Sequence, residues 1–358
     1  MKENKFDICI IGAGIIGLSI AYKLSKYYKN IIVVEKEPSF GRHISSRNSE
    51  VIHSGFYYPS HSLKSSLCVQ GNKLLYKFAR KYKIKHYKCG KLIVANNSEE
   101  INELQDIKSN SISNNVDCKI LTSIESTNIE PRVKAIQSLW VPSAGIIDTH
   151  GLMSKLEYLS INNNVSFLYN ESVNDINIDS NNYIINLNEG KIISDIVINC
   201  AGLWAHKISE MLGVKKYDID FYKGDYYKCT SLRDLNCLIY PIPTVSSLGI
   251  HSVLSLNGEV SFGPNIYKVN DIDYSIDAKY HNDYILEINK FIDVNKDDIY
   301  HDFSGIRPKI RFDDNFNDFI IKNESDRGFK NFINLIGIDS PGVTSCLAIA
   351  NYINDILE

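Results

Sequence analysis

"FDICIIGAGIIGLSIAYKLSKYYKNIIVVE", residues 6–35, changes its hydrophobic period twice. The apolar run at 6–11 ends on glycine, as a parallel strand buried on both faces should. From residue 15 the spacing becomes helical, placing Ile16, Ile20, Leu24 and Tyr27 or Tyr28 on related faces up to residue 28. "IIVVE", 31–35, reads as a second strand. The chain therefore opens with a β-α-β unit, the start of an α/β fold.

Within it, "GAGIIG" supplies Gly12, Gly14 and Gly17. Three glycines at this spacing are weak evidence alone. Here they follow a strand and open a helix, and Glu35 closes the next strand 23 positions after Gly12. In that context the pattern marks a dinucleotide-binding turn of Rossmann type. Gly12 permits the tight turn, Gly14 lets the backbone approach a pyrophosphate, and Gly17 lets the helix pack onto the sheet. The helix N-terminus turns N–H groups and a partial positive charge toward the phosphates. Glu35 can accept hydrogen bonds from ribose hydroxyls and would repel a 2′-phosphate. Ile16 and Lys36, beside these groups, complete the expected contacts of this end of the cofactor.

Only one such fingerprint is present. Either NAD is the sole cofactor, or it is FAD and the substrate reduces it directly. "RHISSRNSEVIHSGFYYP", 42–59, separates the two. FAD is long, and its ribityl chain and ring must lie across the sheet beyond the pyrophosphate. Ser45, Ser46, Asn48 and Ser49 are small donors and acceptors suited to that path, with Val51 and His53 following. A polar segment directly after the second strand suits FAD far better than NAD.

The bulk properties narrow the class. A chain of 358 residues is long enough for two domains. A net charge of −3 and a pI near 6.3 argue against a nucleic-acid partner. The start lacks signal-peptide architecture, and the most apolar run is too short to span a bilayer. Eight cysteines include no CxxC pair, and Cys9 and Cys200 sit in apparent strands. They read as core thiols of a reducing, cytoplasmic compartment, with no metal site. A helix is predicted over 63–82, a strand over 90–95, and helices from Ser98 and from Asp148, with Asp148 as cap. Strands between 165 and 202 should return to the first sheet. "HSVLSLNGEVSFGP", 251–264, reads as a hairpin turning at Asn257-Gly258. "FINLIGID" and "GVTSCLAIANYINDIL" close the chain as strand and helix.

Several motifs in order resemble the L-2-hydroxyglutarate dehydrogenase/oxidase group. These are "SSRNSEVIHSGFYYP", "LKSSLCVQGNKLLY", "CGKLIVA", "PSAGIIDTHGLM", "CAGLWAHKIS", "KGDYY", "GIRPK" and "LIGIDSPGVTSCLAIA". That group belongs to the wider flavoprotein class that includes D-amino-acid oxidase and glycine oxidase. The resemblance covers nearly the whole chain. It implies a Rossmann-type FAD-binding domain (1–85, 140–215, 300–358) and a β-rich substrate domain inserted in two pieces (86–139, 216–299). One departure stands out. Where the group often has Gly-His-Asn-Ser-Gly, this chain has Ser46, Arg47, Asn48, Ser49 and Glu50.

The resemblance also implies a reaction: a small 2-hydroxy acid loses its α-hydrogen as hydride to the flavin while a base takes the hydroxyl proton. His53 and His251 are the candidate bases. Arg307 matches an arginine that holds the substrate carboxylate over the flavin, since its planar fork fixes position and tilt. Pro308 would stiffen a turn there, and Lys309 would add charge for a second carboxylate. Tyr57 and Tyr58 would cover the flavin or touch substrate. Ser340, Gly342, Val343 and Thr344 would bring the last helix's N-terminus to the ring's pyrimidine edge. Val173 would border the adenine, while Ala201, Gly202 and Gly305 would pass close to the cofactor. Oxygen or a quinone would take the electrons, from a protein free in the cytoplasm or peripheral to the inner face of a membrane. The alternatives are an amine or amino-acid oxidase, a glycerol-3-phosphate dehydrogenase-like enzyme, and a non-catalytic flavin-binding protein.

Overall fold

A computed structural model describes residues 5–180, 182–243, 249–275, 280–311 and 316–358. The chain divides into two compact units, 1–46 with 149–221 and 307–358, and 47–148 with 222–306.

The first unit is built on an eight-stranded sheet. Lys5–Ile11 lies between Ile31–Val34 and Lys191–Asn199, parallel to both. Ser166–Leu168 continues the parallel set beyond Ile31–Val34, and Phe332–Ile336 runs parallel to Lys191–Asn199. Ile8, Cys9, Ile10 and Val33 are fully buried, as a sheet covered on both faces requires. Asn182–Leu187 pairs antiparallel with Lys191–Asn199 on one side and with Val173–Asp179 on the other, so the strands expected between 165 and 202 join the first sheet. Helix Ile15–Leu24 packs against Gly342–Leu357 and Thr149–Asn162, tying both ends of the chain into this unit. It stops before residue 28. The N–H groups of Tyr27 and Tyr28 both donate to the Leu24 carbonyl, and the Tyr27 ring is largely in solvent, so the apolar spacing there buries little.

The second unit holds one continuous apolar core. It is framed by a five-stranded, a four-stranded and a three-stranded sheet. Lys91–Ala95 pairs in parallel with Leu238–Pro241 and antiparallel with Gln137–Val141. The hairpin forms as expected, His251–Leu254 against Glu259–Gly263, with Gly258 at φ +82° where the turn needs a left-handed residue. Helix Leu63–Tyr82 opens on Ser62, whose hydroxyl accepts from Ser65 N at 3.0 Å. Helix Ser98–Ser113 starts at Ser98 as expected and is capped by Asn97, whose side chain accepts from Glu100 N.

The unit borders differ from the expected domain borders. Residues 47–85, 140–148 and 300–306 belong to the second unit, and 216–221 to the first. The reason is strand pairing. Val51–Ile52 pairs with Gly145–Ile147, and Ile147 N donates to the Glu50 carbonyl, so the polar segment leaves the first unit right after Ser46. Conversely, Arg311 N donates to the Asp218 carbonyl within the first unit. Pro308 also sits differently: it lies in strand Ile299–Ile310, not in a turn. That strand's described pairing is with Ile219–Arg233 alone, where a missing N–H is tolerated. All eight cysteines are free, and seven are buried.

Candidate active site

The glycine turn is held from two sides. A Cβ on Gly12 would lie 2.6 Å from the Cys200 carbonyl oxygen, and Gly12 has φ +105°. Cys200 N donates to the Ile11 carbonyl at 2.9 Å, so the end of strand Lys191–Asn199 with Ala201 abuts the turn. Gly202, at φ +55°, follows. On the other side, helix Ile15–Leu24 has Gly14 as N-cap and no capping side chain of its own. Ser45 supplies one from thirty residues away, its Oγ accepting from Ile15 N at 2.9 Å. A Cβ on Gly14 would meet that oxygen at 3.1 Å. Ser45, expected along the cofactor's path, thus first of all fixes the helix start. Ile16 and Gly17 follow in the first turn, where helical N–H groups lack intrahelical acceptors.

Glu35 completes the cradle. Its carboxylate accepts from Ala13 N at 2.7 Å and from Glu37 N at 2.9 Å, which locks it beside the turn. Around it lies a cluster that sequence reasoning missed. The Lys36 ammonium sits 3.1 Å from the Trp204 ring centroid, and His43 meets the same ring edge-on at 4.6 Å. His43 Nε2 lies 2.9 Å from a Glu37 oxygen, and this bond holds the Glu37 carboxyl below its ordinary range. His43 and Trp204 sit in quoted motifs, but nothing in the sequence says that they meet. A backbone pressed close at three glycines, a helix N-terminus and an anchored carboxylate fit the pyrophosphate and ribose of FAD. Replacing Glu35 with Ala is expected to weaken FAD binding on the order of 10- to 100-fold, the worth of one charged hydrogen bond. Flavin absorbance retained after gel filtration reads this out, with Glu35→Gln recovering part. Full retention and unchanged melting would remove Glu35 from ribose recognition.

Others in the first unit are Val173, which begins its strand opposite Leu187, and Ser46, whose hydroxyl donates to the His43 carbonyl at 3.3 Å. The last helix starts at Gly342, whose N–H donates to Asp339 O at 2.6 Å, with Ser340, Val343 and Thr344 around that start. Arg307 and Lys309 are two residues apart on one strand and share its less buried face, while Ile306, Pro308 and Ile310 are buried on the other.

The second unit holds Asn48, Ser49, Val51, His53, Tyr57, Tyr58, His251 and Gly305. Three asparagine amides pin the 53–58 segment. Asn72 Nδ2 donates to the carbonyls of His53 and Ser143 at 2.8 and 2.9 Å. Asn110 donates to Phe56 and Tyr58, and Asn114 to Gly55 and Tyr58. The Tyr57 and Tyr58 rings meet edge-on at 6.2 Å. Beside His53, the Ser54 hydroxyl is buried with no hydrogen-bond partner among the described residues. Gly305 lies close to Arg47: a Cβ there would sit 2.6 Å from the Arg47 carbonyl oxygen. The Glu50 departure has a local cost and a local remedy. Glu50 adopts φ +54°, where glycine is favoured, and Asn48 Oδ1 accepts its N–H at 2.8 Å.

His251 is 3% exposed and stacks on Tyr240 with ring centroids 3.8 Å apart and planes 7° from parallel. Its Nδ1 faces the Ser252 carbonyl oxygen at 3.3 Å. A carbonyl only accepts, so Nδ1 carries the hydrogen and a neutral ring has its lone pair on Nε2.

A Rossmann-type sheet with this cradle, joined to a β-rich second unit, defines a flavoprotein oxidoreductase fold. The chain matches the family described as FAD dependent oxidoreductase (DAO) over residues 7–356, and it belongs to that family. Its cofactor is FAD. It is 32% identical over 403 aligned positions to an L-2-hydroxyglutarate dehydrogenase, mitochondrial, of Arabidopsis thaliana, covering 99% of this chain and 83% of that protein. It is 30% identical to a glycerol 3-phosphate dehydrogenase of Caloramator mitchellensis, covering 99% and 74%. Among solved structures it resembles L-alpha-glycerophosphate oxidase from Mycoplasma pneumoniae with FAD bound, at a TM-score of 0.89 and 25% identity, covering 99% and 94%. Among the described residues no helix is long and apolar enough to cross a membrane.

Proposed function

We propose that this protein oxidises a small 2-hydroxy acid to the 2-oxo acid, with L-2-hydroxyglutarate the first substrate to test. The observation that carries the reading is the similarity, along 99% of the chain, to a plant L-2-hydroxyglutarate dehydrogenase. FAD supplies the acceptor for the two electrons and the α-hydrogen. Arg307 pairs with the carboxylate next to the hydroxyl and sets its tilt. Lys309, on the same strand face, adds positive charge. His251, with its lone pair on Nε2, takes the hydroxyl proton, and His53 is the second candidate for that step. The electrons leave to oxygen or a quinone, in the cytoplasm or at the inner face of a membrane.

Glycerol-3-phosphate oxidation is the second reading, favoured by the Caloramator and Mycoplasma similarities. Anaerobic addition of candidate substrates to the holoenzyme, followed by flavin absorbance, separates the two. Bleaching by L-2-hydroxyglutarate and not by glycerol 3-phosphate is expected, and the reverse result would sink the first reading. Arg307→Ala is expected to raise KM for the hydroxy acid about 100-fold or more while FAD stays bound, because a charged bidentate contact is lost. Unchanged kinetics would take Arg307 out of the site.

A further inference from the structure

Lys91 opens the strand Lys91–Ala95 and is 2% exposed. Its ammonium lies 3.5 Å from the centroid of the Tyr240 ring, which also stacks with His251 at 3.8 Å. Three adjacent strands bring these groups together. Lys91 pairs with Leu238, two residues before Tyr240, and Ser252 Oγ accepts from Ile239 N at 2.6 Å, tying the His251 strand to the Tyr240 strand. Among the described residues the ammonium has no hydrogen bond and no ion pair. The titratable groups near it are Tyr240, His251 beyond, the Cys89 thiol beside it and the Cys68 thiol from helix Leu63–Tyr82. Burial pushes Cys89 up to about 11 and Cys68 higher still, so neither offers a negative charge at neutral pH. Burial likewise pulls Lys91 down to about 7.

Without an anion Lys91 keeps its proton only up to about pH 7, since a buried charge is costly, and a methionine would fill the same space without that cost. Its place beside an aromatic face and a candidate base suits a ligand that brings the missing charge. We propose that Lys91 binds the second carboxylate of the substrate, so that the protein selects 2-hydroxydicarboxylates over 2-hydroxymonocarboxylates. This rests on the hydroxy-acid reading above and assigns to Lys91 the role that sequence alone gave to Lys309.

The test uses holoenzyme and two pairs of probes. Glutarate and butyrate are unreactive and report binding through melting temperature and flavin absorbance. 2-Hydroxyglutarate and 2-hydroxybutyrate report turnover. Lys91→Met is expected to weaken glutarate binding on the order of 10- to 100-fold, the worth of one charged hydrogen bond, and to leave butyrate unaffected. The 2-hydroxyglutarate to 2-hydroxybutyrate ratio of kcat/KM should fall by the same factor. Ligand-free Lys91→Met should melt no lower than wild type. An unchanged ratio, or a ratio collapsed by Lys309→Met and not by Lys91→Met, overturns the proposal. If no 2-hydroxy acid reduces wild type yet glutarate binding vanishes in Lys91→Met, the carboxylate site stands and the hydroxy-acid reading falls. A second measurement needs no variant. In wild type the glutarate to butyrate affinity ratio should fall as pH rises through about 7 toward 9, because the cation is lost. A flat profile overturns the proposal.

Discussion

Gly17→Ala should yield protein that folds poorly and retains little or no FAD. A Cβ at Gly17 would lie 2.0 Å from the Gly12 carbonyl oxygen, 3.2 Å from the Gly12 carbonyl carbon and 3.4 Å from Ile10 Cγ2. The nearest obstacle is backbone, so no side chain can rotate out of the way. Either the helix lifts off the strand or the turn moves. Lifting strips apolar contact from Leu18 and Ala21, both fully buried. Moving the turn drives Gly12 against the Cys200 carbonyl, where a Cβ already has no room. Overpacking of this kind costs roughly 1–3 kcal/mol or more, and here it falls on the groups that face the cofactor's phosphates. The expected result is a flavin to protein absorbance ratio at least about tenfold below wild type, with a lower melting temperature. Gly190→Ala is the control. Gly190 has φ +96° but nothing within 4 Å of its Cβ position, so it should lose about 1 kcal/mol and keep its flavin. A Gly17→Ala protein as yellow and as stable as wild type would show that the close approach is not needed.

That glycine was legible because a strand, a turn and a helix in one short run leave few ways to pack. The carboxylate of Glu35 was legible for the same reason, as a fixed distance along a parallel pair. Long-range partnerships were not. Ser45 reads as a cofactor contact, and its hydroxyl also accepts from Ile15 N, a bond that no spacing rule announces between residues thirty apart through a loop. Lys91 reads as one residue of "CGKLIVA"; only the parallel pairing with Leu238–Pro241 sets it over the Tyr240 ring. Composition does not change at Ser46, where the first unit gives way to the second, and the partner of Val51 lies almost a hundred residues on, at Ile146. Thr122 and Glu125 form a reciprocal capping box that opens helix Ser123–Ile129, and their three-residue spacing is visible in "TSIE".

Asp225→Ala should be the most destabilising single change in the second unit. Asp225, in "KGDYY", is fully buried. Its carboxylate accepts from Ser304 Oγ at 2.6 Å and from Tyr267 OH at 3.0 Å, and His301 Nε2 lies 3.7 Å away. Its backbone is equally engaged: N donates to Asn265 Oδ1 at 2.8 Å, and its carbonyl accepts from Tyr284 OH. Truncation removes the acceptor and leaves two hydroxyls without it in a site that water does not reach. Breaking such a network by deleting one charged member costs about 3–5 kcal/mol, which at roughly 2–4 °C per kcal/mol for a unit of this size lowers the melting point by about 6–20 °C. Asp225→Asn keeps one acceptor oxygen and should cost about 1–3 kcal/mol. The consequence reaches function through the chain itself. Ser304 also accepts Arg47 Nη1 on its carbonyl at 3.2 Å, and Arg307 follows three residues later on the same strand. If Arg307 binds the carboxylate as proposed above, loosening Ser304 loosens the strand that carries it, and KM for a carboxylate substrate should rise in Asp225→Asn even where the protein remains folded and flavin-loaded. Melting curves and initial rates on the two variants check both parts. An Asp225→Ala protein melting within about 1 °C of wild type would mean that the buried hydroxyls find other acceptors, and that Asp225 does not hold this strand.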